Sequence, residues 1–173
     1  MENSLADRYW YIRVNARSRV YYNGHRLMFW SCMLFISQFS EFLLSTAAFI
    51  MLQNQHPTFA LWSTFAVSVV SFLVLWIRAD KLGRQCSRLI DEYSDLEASV
   101  TVIDKFQTEE GFAAANKKML ELMSREKKAM PCLGTLCYID ACLSFGARPN
   151  LAMSWLERTV GRFLPIRYKV KPV

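Results

Sequence analysis

The chain has 173 residues, a length that suits either one soluble domain or a small membrane unit with a modest cytosolic part. Hydrophobic residues make up 53% of the chain, yet charged residues still make up 21%, so the hydrophobic residues cannot be spread evenly along it. They are concentrated between Leu27 and Ile77. The net charge of +6 is compatible with nucleic acid, anionic lipid or a membrane-topology signal and by itself selects none of them.

Residues 1–26 are predicted to form a cytosolic helix close to a membrane surface. The segment mixes aromatic residues with arginines, and Trp10 and Tyr11 suit the level of the lipid headgroups. Asn23-Gly24 is expected to break this helix before the next element, because both residues tolerate a left-handed backbone.

Residues 27–52 are predicted to be the first transmembrane helix. The run is about 39 Å long at 1.5 Å per residue, more than the roughly 30 Å of bilayer hydrocarbon, so it can tilt or begin in the interface. A cleaved signal peptide is not expected, because the run begins late, is too long and lacks a small-residue cleavage site.

Polar residues of this first span recur at spacings of three and four, so they share one stripe of the helix. A central carboxylate costs on the order of 2.5–3.5 kcal/mol on insertion scales, and the stripe is therefore expected to face helices or water. The residues assigned to this pore-lining or polar membrane seam are Ser31, Gln38, Glu41, Ser45 and Ala48.

The sequence leaves three roles open for Glu41. It could be a protonated carboxyl that bonds neighbouring helices, it could line a cation-attracting pore, or it could be an interior group of one hairpin without a transport role. One hairpin cannot enclose a pore, so the pore hypothesis requires several copies of the chain.

Residues 57–77 are predicted to be the second transmembrane helix, since this run carries no charged residue. A buried hairpin of a soluble protein is the alternative, and two long runs with almost no charge make it the weaker one. The predicted fold class is all-α: a two-span transmembrane hairpin, oligomeric, with a cytosolic helical region over residues 78–173.

Basic residues flank the two spans, whereas the connecting loop has no Lys or Arg. Cationic residues resist translocation, so both termini are expected in the cytoplasm. The flanking residues are Arg13, Arg17, Arg19, Arg26, Arg78, Lys81, Arg84 and Arg88.

Apolar residues after the second span recur at four-three spacing, which predicts a helix that continues this span into the cytosol. Packing against the chain's own helices and packing between subunits are equally open. As an oligomerisation seam it comprises Leu82, Cys86, Leu89, Tyr93, Leu96 and Val100.

Three shorter helices are predicted in the rest of the chain. Thr108 is expected to cap the first, Pro131 to end it or start the next, and Gly146 to follow the second, which should be the most buried. Asn150 is the expected cap of the third, and residues 165–173 are expected to form a loose tail.

No catalytic site, metal site or cofactor is expected, because the chain lacks a phosphate-binding glycine loop, a nucleophile elbow and a zinc-protease motif. Cys132, Cys137 and Cys142 are five residues apart and point about 140° from one another on a helix, which suits reduced thiols rather than a disulfide or a zinc site. Asp91 and Asp95 share a helix face that is expected to be solvated. We therefore expect a non-enzyme.

A basic cluster later in the chain could bind nucleic acid or a nucleotide signal, although a solvated helix face accounts for it more simply. Its members are Lys117, Lys118, Arg125, Lys127 and Lys128.

The segments RADKLGRQCSRLIDEYSDLEASV and LGTLCYIDACLSFG, followed by SWLERTVGRFL, resemble the amphipathic extension and terminal helices of the SLATT family of bacterial two-span effectors. The resemblance implies a multi-pass protein of the bacterial inner membrane that acts in anti-phage, abortive-infection defence. Such an effector forms a gated oligomeric pore or disrupts the membrane when triggered. The implied partners are the lipid bilayer, further copies of the chain, and a sensor protein, nucleotide signal or nucleic-acid element of the same system.

The alternative function is a non-conducting membrane anchor or adaptor. Its cytosolic helices would recruit a partner, and Glu41 would only hold helices together.

Overall fold

The structure, a computed structural model, describes residues 4–53, 57–103, 108–126 and 130–148. These residues form five α-helices and no strand, which confirms the all-α prediction for this part of the chain. The helix expected from Asn150 and the tail lie outside the described residues. The helices are α1 (Leu5–Gln53), α2 (Pro57–Ile77), α3 (Ala79–Ile103), α4 (Glu109–Arg125) and α5 (Pro131–Ser144).

α1 is one helix of 49 residues, and the break expected at Asn23-Gly24 is wrong. Asn23 is fully buried, and its side-chain amide donates to the carbonyl oxygen of Arg19, one turn earlier, at 3.0 Å. A glycine inside a helix costs only about 1 kcal/mol relative to alanine, so the packing of the neighbouring turns outweighs the preference of Gly24 for a turn.

The helices divide into two compact units, and α1 and α3 contribute to both. Unit 1 contains the described residues up to His25 and those from Ser87 onward. Unit 2 contains Arg26–Cys86.

Unit 1 has a core to which α1, α3 and α4 contribute. Leu89, Tyr93, Leu96 and Val100 of α3 are all buried in it, so for these four residues the structure shows packing against the chain's own helices. In this conformation they offer no surface to a second copy. They pack with Tyr9, Ile12 and Ala16 of α1 and with Ala115, Met119 and Leu122 of α4.

The remaining two members of the predicted oligomerisation seam belong to unit 2. Cys86 is buried and Leu82 is half-buried there. The six residues therefore do not form one exposed stripe in the single chain.

α5 packs on α1 through two smaller clusters. Val14 contacts the cluster of Ala141 and Cys142, and Tyr22 packs with Leu133. Seven of the 14 residues of α5 are buried, whereas three of the 17 residues of α4 are. The mostly apolar sequence of α5 leads us to expect this difference.

The ends of α4 and α5 follow from local sequence. The Thr108 side chain accepts a hydrogen bond from the backbone N–H of Gly111 at 3.2 Å and so caps α4. Pro131 occupies the first turn of α5, where its missing N–H costs nothing, and Gly146 follows the helix with φ +73°.

Unit 2 contains a helical hairpin made of the second part of α1 and of α2. Glu41 of α1 contacts Ser71 of α2, and the two residues lie at similar distances from the connection, so the helices run antiparallel. Small side chains lie between the helices: Ser37, Ala60 and Ser63 are buried.

Large apolar side chains cover the outside of this hairpin. Among the described residues, α1 is the one helix that is long and apolar enough to cross a membrane, and almost none of its apolar window is buried. Thr58–Leu73 of α2 is a shorter apolar stretch, because the side chains of the last residues of α2 are not among those described. The most exposed large residues of the hairpin are Met28, Phe35, Ile36, Phe42, Phe49, Leu52, Leu61, Trp62, Phe65 and Phe72.

The core of unit 1 predicts a clear difference between two leucines of α4. Leu122→Ala should lower the free energy of unfolding by about 2–5 kcal/mol, because Leu122 is 2% exposed and the substitution leaves a cavity. Leu120→Ala, at a residue that is 58% exposed on the same helix, should change it by less than about 0.5 kcal/mol. Denaturation of the full chain in detergent, followed by circular dichroism, measures both, and equal losses would contradict the assigned core.

Candidate functional site

Glu41 lies at the contact between the two helices of the hairpin. Its Oε1 atom accepts hydrogen bonds from the Ser37 hydroxyl at 3.3 Å and from the Ser71 hydroxyl at 2.8 Å. The carboxyl is half-buried and is bound by α1 and α2 together. Part of the hydrogen-bonding capacity of the Glu41 carboxyl is therefore satisfied within one chain.

The face of α1 that carries Glu41 is less exposed than its surroundings, and we call it the hairpin seam. Its members recur at spacings of three and four, as expected for two helices that pack side by side along their length. They are Leu34, Ser37, Glu41, Leu44, Ala48 and Met51, of which Ser37 is buried and the others are half-buried.

The polar seam predicted for the first span is divided by the structure between two faces. Glu41 and Ala48 lie on the hairpin seam, whereas Ser31, Gln38 and Ser45 are exposed in the single chain. A three-four spacing can be drawn through more than one line of the same helix, so the sequence alone could not separate the two groups. The structure thus brings Glu41 to Ser71 and leaves Gln38 on the outside.

Two of the flanking arginines form ion pairs with glutamates in the interior of unit 1. Arg17 Nε lies 2.9 Å from Oε1 and 2.8 Å from Oε2 of Glu97, a buried residue of α3. The hydrogen bond to Glu97 raises the pKa of Arg17, although burial acts in the opposite direction. The guanidinium also lies 5.5 Å from the centre of the Phe145 ring.

The second ion pair belongs to a more deeply buried polar cluster. Arg19 Nη1 lies 2.6 Å from Oε2 of Glu126, whose side chain is 4% exposed, and the Asn23 amide donates to Oε1 at 3.0 Å. The hydroxyl of Tyr93 is also buried, and its burial and the nearby Glu126 charge raise the pKa of Tyr93. This cluster joins α1 to α3 and to the end of α4.

The other flanking basic residues have varied surroundings. The Arg13 guanidinium lies 4.8 Å from the centre of the Phe145 ring, and Arg84 forms an exposed ion pair with Asp80 at 2.6 Å. Arg26 is half-buried, whereas Arg78, Lys81 and Arg88 are exposed.

The later basic cluster is divided as well. Lys117 and Lys118 are exposed on α4, and Arg125 pairs with Glu92 at 3.1 Å and with Glu121. Lys127 and Lys128 lie outside the described residues. The charge of Arg125 is therefore already neutralised.

Unit 1 also has an open groove beside the start of α1. Its volume is about 430 Å³, and the Arg8 guanidinium lies 4.2 Å from the centre of the Phe112 ring at its wall. Trp10 and Tyr11, both exposed, add aromatic surface. The groove is lined by Asp7, Arg8, Trp10, Tyr11, Ile12, Phe112 and Asn116.

The described residues contain no group of three His, Cys, Asp or Glu side chains that could hold a metal ion. All five cysteines are described, and none of them forms a disulfide. Asp91 and Asp95 are both exposed on α3.

No family model matches the chain, nor does any curated protein or solved structure. Sequence reasoning missed Ser71, Glu97 and Glu126 as partners, because each is one of several similar residues in its part of the chain. Glu97 carries one local signal, its position directly after Leu96 on the apolar side of α3.

The two kinds of ion pair in unit 1 predict different costs of mutation. Glu126→Ala should lower the free energy of unfolding by about 3–5 kcal/mol, because it leaves the charge of Arg19 without its partner in the interior. Glu109→Ala, which removes the exposed pair with Arg8, should change it by at most about 1 kcal/mol. Chemical denaturation of both variants measures the contrast, and similar losses would show that Glu126 is not a buried partner.

The raised pKa of the Tyr138 hydroxyl predicts that the folded state loses stability at alkaline pH. Burial, together with a hydrogen bond to Cys142, raises the pKa of Tyr138 to about 12 from the ordinary value of 10.0. The folded state binds the phenolic proton of Tyr138 more tightly than the unfolded state does. The stabilisation of the folded state that results is complete below pH 10 and is lost as the pH rises to about 12. Tyr138→Phe should flatten this part of the pH profile of unfolding, and an unchanged profile would contradict the assignment.

Proposed function

We propose that the chain is a membrane effector of bacterial anti-phage, abortive-infection defence. Residues 27–52 and 57–77 cross the inner membrane, and both termini are in the cytoplasm. Several copies form a gated pore, or disrupt the membrane, when a sensor protein, a nucleotide signal or a nucleic-acid element triggers them. The chain is not an enzyme and uses no cofactor.

The observation that carries the proposal is the inverted polarity of the unit 2 hairpin. Among its described residues the buried side chains are small, Ser37, Ala60 and Ser63, whereas its most exposed side chains are large aromatic and aliphatic ones. A soluble protein buries such residues, and an exposed apolar surface of this extent indicates a membrane or a partner. Helices that pack against each other in lipid typically have small residues at their contact and polar side chains that form hydrogen bonds across it.

The length and charge of α2 support a second span. α2 has 21 residues, which is about 31 Å at 1.5 Å per residue and matches the hydrocarbon thickness. Its sequence contains no charged residue. Thr64 and Ser68 are exposed, yet each donates to a carbonyl oxygen of the preceding turn, at 2.8 and 3.0 Å, so α2 offers lipid few unsatisfied groups.

The distribution of polar residues over the hairpin supports an assembly in which α1 faces the axis. The exposed carboxamide of Gln38 lies on the same face of α1 as the exposed Ser31 and Ser45, whereas the exposed hydroxyls of Thr64 and Ser68 on α2 are hydrogen-bonded within their own helix. A ring of hairpins with α1 inside and α2 outside gives the polar residues contact with one another and with water. The Glu41 bond to Ser71 then holds each hairpin together.

The defence role is supported by the resemblance of the sequence to SLATT effectors. An effector of this kind needs a membrane part and a cytosolic part that receives the signal. Unit 1, with its own core, is suited to be the receiving part.

A second candidate function is a non-conducting anchor that recruits a cytosolic partner. Two observations favour it: Glu41 already has hydrogen-bond partners within one chain, and the groove of unit 1 presents the exposed Trp10 and Tyr11. The anchor gives no ion flux under any trigger, whereas the pore does.

Expression of the chain in bacteria tests the pore. The protein should resist extraction by alkaline carbonate and should depolarise the inner membrane when its defence system is triggered by phage. Glu41→Leu should abolish depolarisation while insertion is kept, because it removes the hydrogen bond to Ser71 that joins α1 to α2.

Thr64→Val serves as the matched control, since it removes an exposed hydroxyl that is bonded only within its own helix. Depolarisation that is unchanged by Glu41→Leu would overturn the pore arrangement. An inserted protein that never depolarises the membrane, and that binds a cytosolic partner, would establish the anchor instead.

A further inference from the structure

A second regular stripe on α1 remains exposed in the single chain, and we call it the outer seam. Its members recur at spacings of four and three from Ser31 to Phe49, and they alternate between a polar and a phenylalanine side chain. They are Ser31, Phe35, Gln38, Phe42, Ser45 and Phe49, all exposed.

The outer seam is distinct from the hairpin seam. Each residue of a helix turns it by about 100°, which places the centre of the outer seam about 110° around α1 from the centre of the hairpin seam. A four-three repeat is the spacing with which a helix keeps one face toward a partner helix at a small crossing angle. α1 therefore has one such face that packs on α2 and another that packs on nothing within the described residues.

Gln38 makes this second face unsuited to lipid. The exposed Thr46 hydroxyl is satisfied locally, because it donates to the Phe42 carbonyl oxygen at 2.9 Å, as the exposed hydroxyls of α2 do to theirs. The Gln38 carboxamide has two donors and an acceptor and forms no hydrogen bond with another described residue. In a bilayer such a group needs a partner from outside the hairpin.

We infer that the outer seam of α1 binds the outer seam of a second copy of this chain, with the two α1 helices parallel. Copies inserted in the same direction bring Gln38 to the same depth in each, and one carboxamide can donate to the carbonyl of the other. In this register each phenylalanine lies at the depth of the same phenylalanine of the partner, and the smaller serine and glutamine layers lie above and below it. The seam is thus complementary to itself in hydrogen bonding and matches polar layers to polar layers and apolar layers to apolar layers.

This inference rests on the membrane insertion proposed above and names the surface by which the copies assemble. A single polar residue in an apolar seam sets the register of helices, since any shift separates the polar groups. Gln38, in the middle of the seam, has this role. In an assembly of several copies the same seam faces the common axis, so its polar layers line any pore.

Cysteine cross-linking of the full chain in bacterial membranes tests the interface. Phe42→Cys and Leu43→Cys are a matched pair, because these adjacent residues are 67% and 50% exposed but only Phe42 lies on the outer seam. Both are made with Cys32→Ser, since Cys32 is the one exposed native cysteine. An added oxidant should give a disulfide-linked dimer with Phe42→Cys and at least about tenfold less with Leu43→Cys.

A second measurement does not depend on introduced cysteines. Gln38→Leu should shift the protein toward monomer in lipid nanodiscs, whereas Thr64→Val should leave the distribution unchanged. Carbonate-extractable protein would overturn the proposed function and this inference with it. Inserted protein that cross-links equally at both positions, or that keeps its oligomer distribution in Gln38→Leu, would overturn the inference alone.

Discussion

Glu97 and Glu126 lie inside unit 1, and each forms an ion pair there with an arginine of α1. A carboxylate removed from water is tolerated only with a partner, so these bonds constrain where α3 and α4 can lie on α1. The same rule applies in unit 2, where the serines at positions 37 and 71 supply hydrogen bonds to Glu41. In both units the apolar contacts surround polar groups whose partners determine which faces of the helices meet.

The arginines before the first span carry two kinds of information. Their number and position in the sequence indicate which side of a membrane they occupy, because positive charge resists translocation. Arg17 and Arg19 also have structural partners in the interior of unit 1, which a topology argument does not require. The positions of these two arginines are therefore explained by buried ion pairs as well as by membrane topology.

The two units differ in the kind of side chain that they bury. α3 buries Leu89, Tyr93, Leu96 and Val100 among large apolar neighbours, and its exposed face is polar. In the hairpin of unit 2 the described residues that are buried are small, and most of its phenylalanines are exposed. That contrast is what the proposed function explains, because water drives apolar side chains together whereas lipid does not. The proposed contact between outer seams applies the same reasoning to a stripe of α1 whose alternating polar and phenylalanine side chains suit neither water nor lipid.

The sequence by itself determined that the chain is helical and where α4 and α5 begin and end, since Thr108, Pro131 and Gly146 mark those ends. Local signals suffice there, because helix ends depend on neighbours in the chain. The predicted continuation of the second span into α3 is wrong, because Arg78, with φ +52°, separates α2 from α3. Local signals failed at Asn23-Gly24, where burial and the Glu126 bond outweigh turn preference. Only the tertiary structure decided which stripe of α1 meets α2, and that Leu89, Tyr93, Leu96 and Val100 of α3 pack within the chain. Several three-four lines run along one helix, and they become different only when other helices cover some of them.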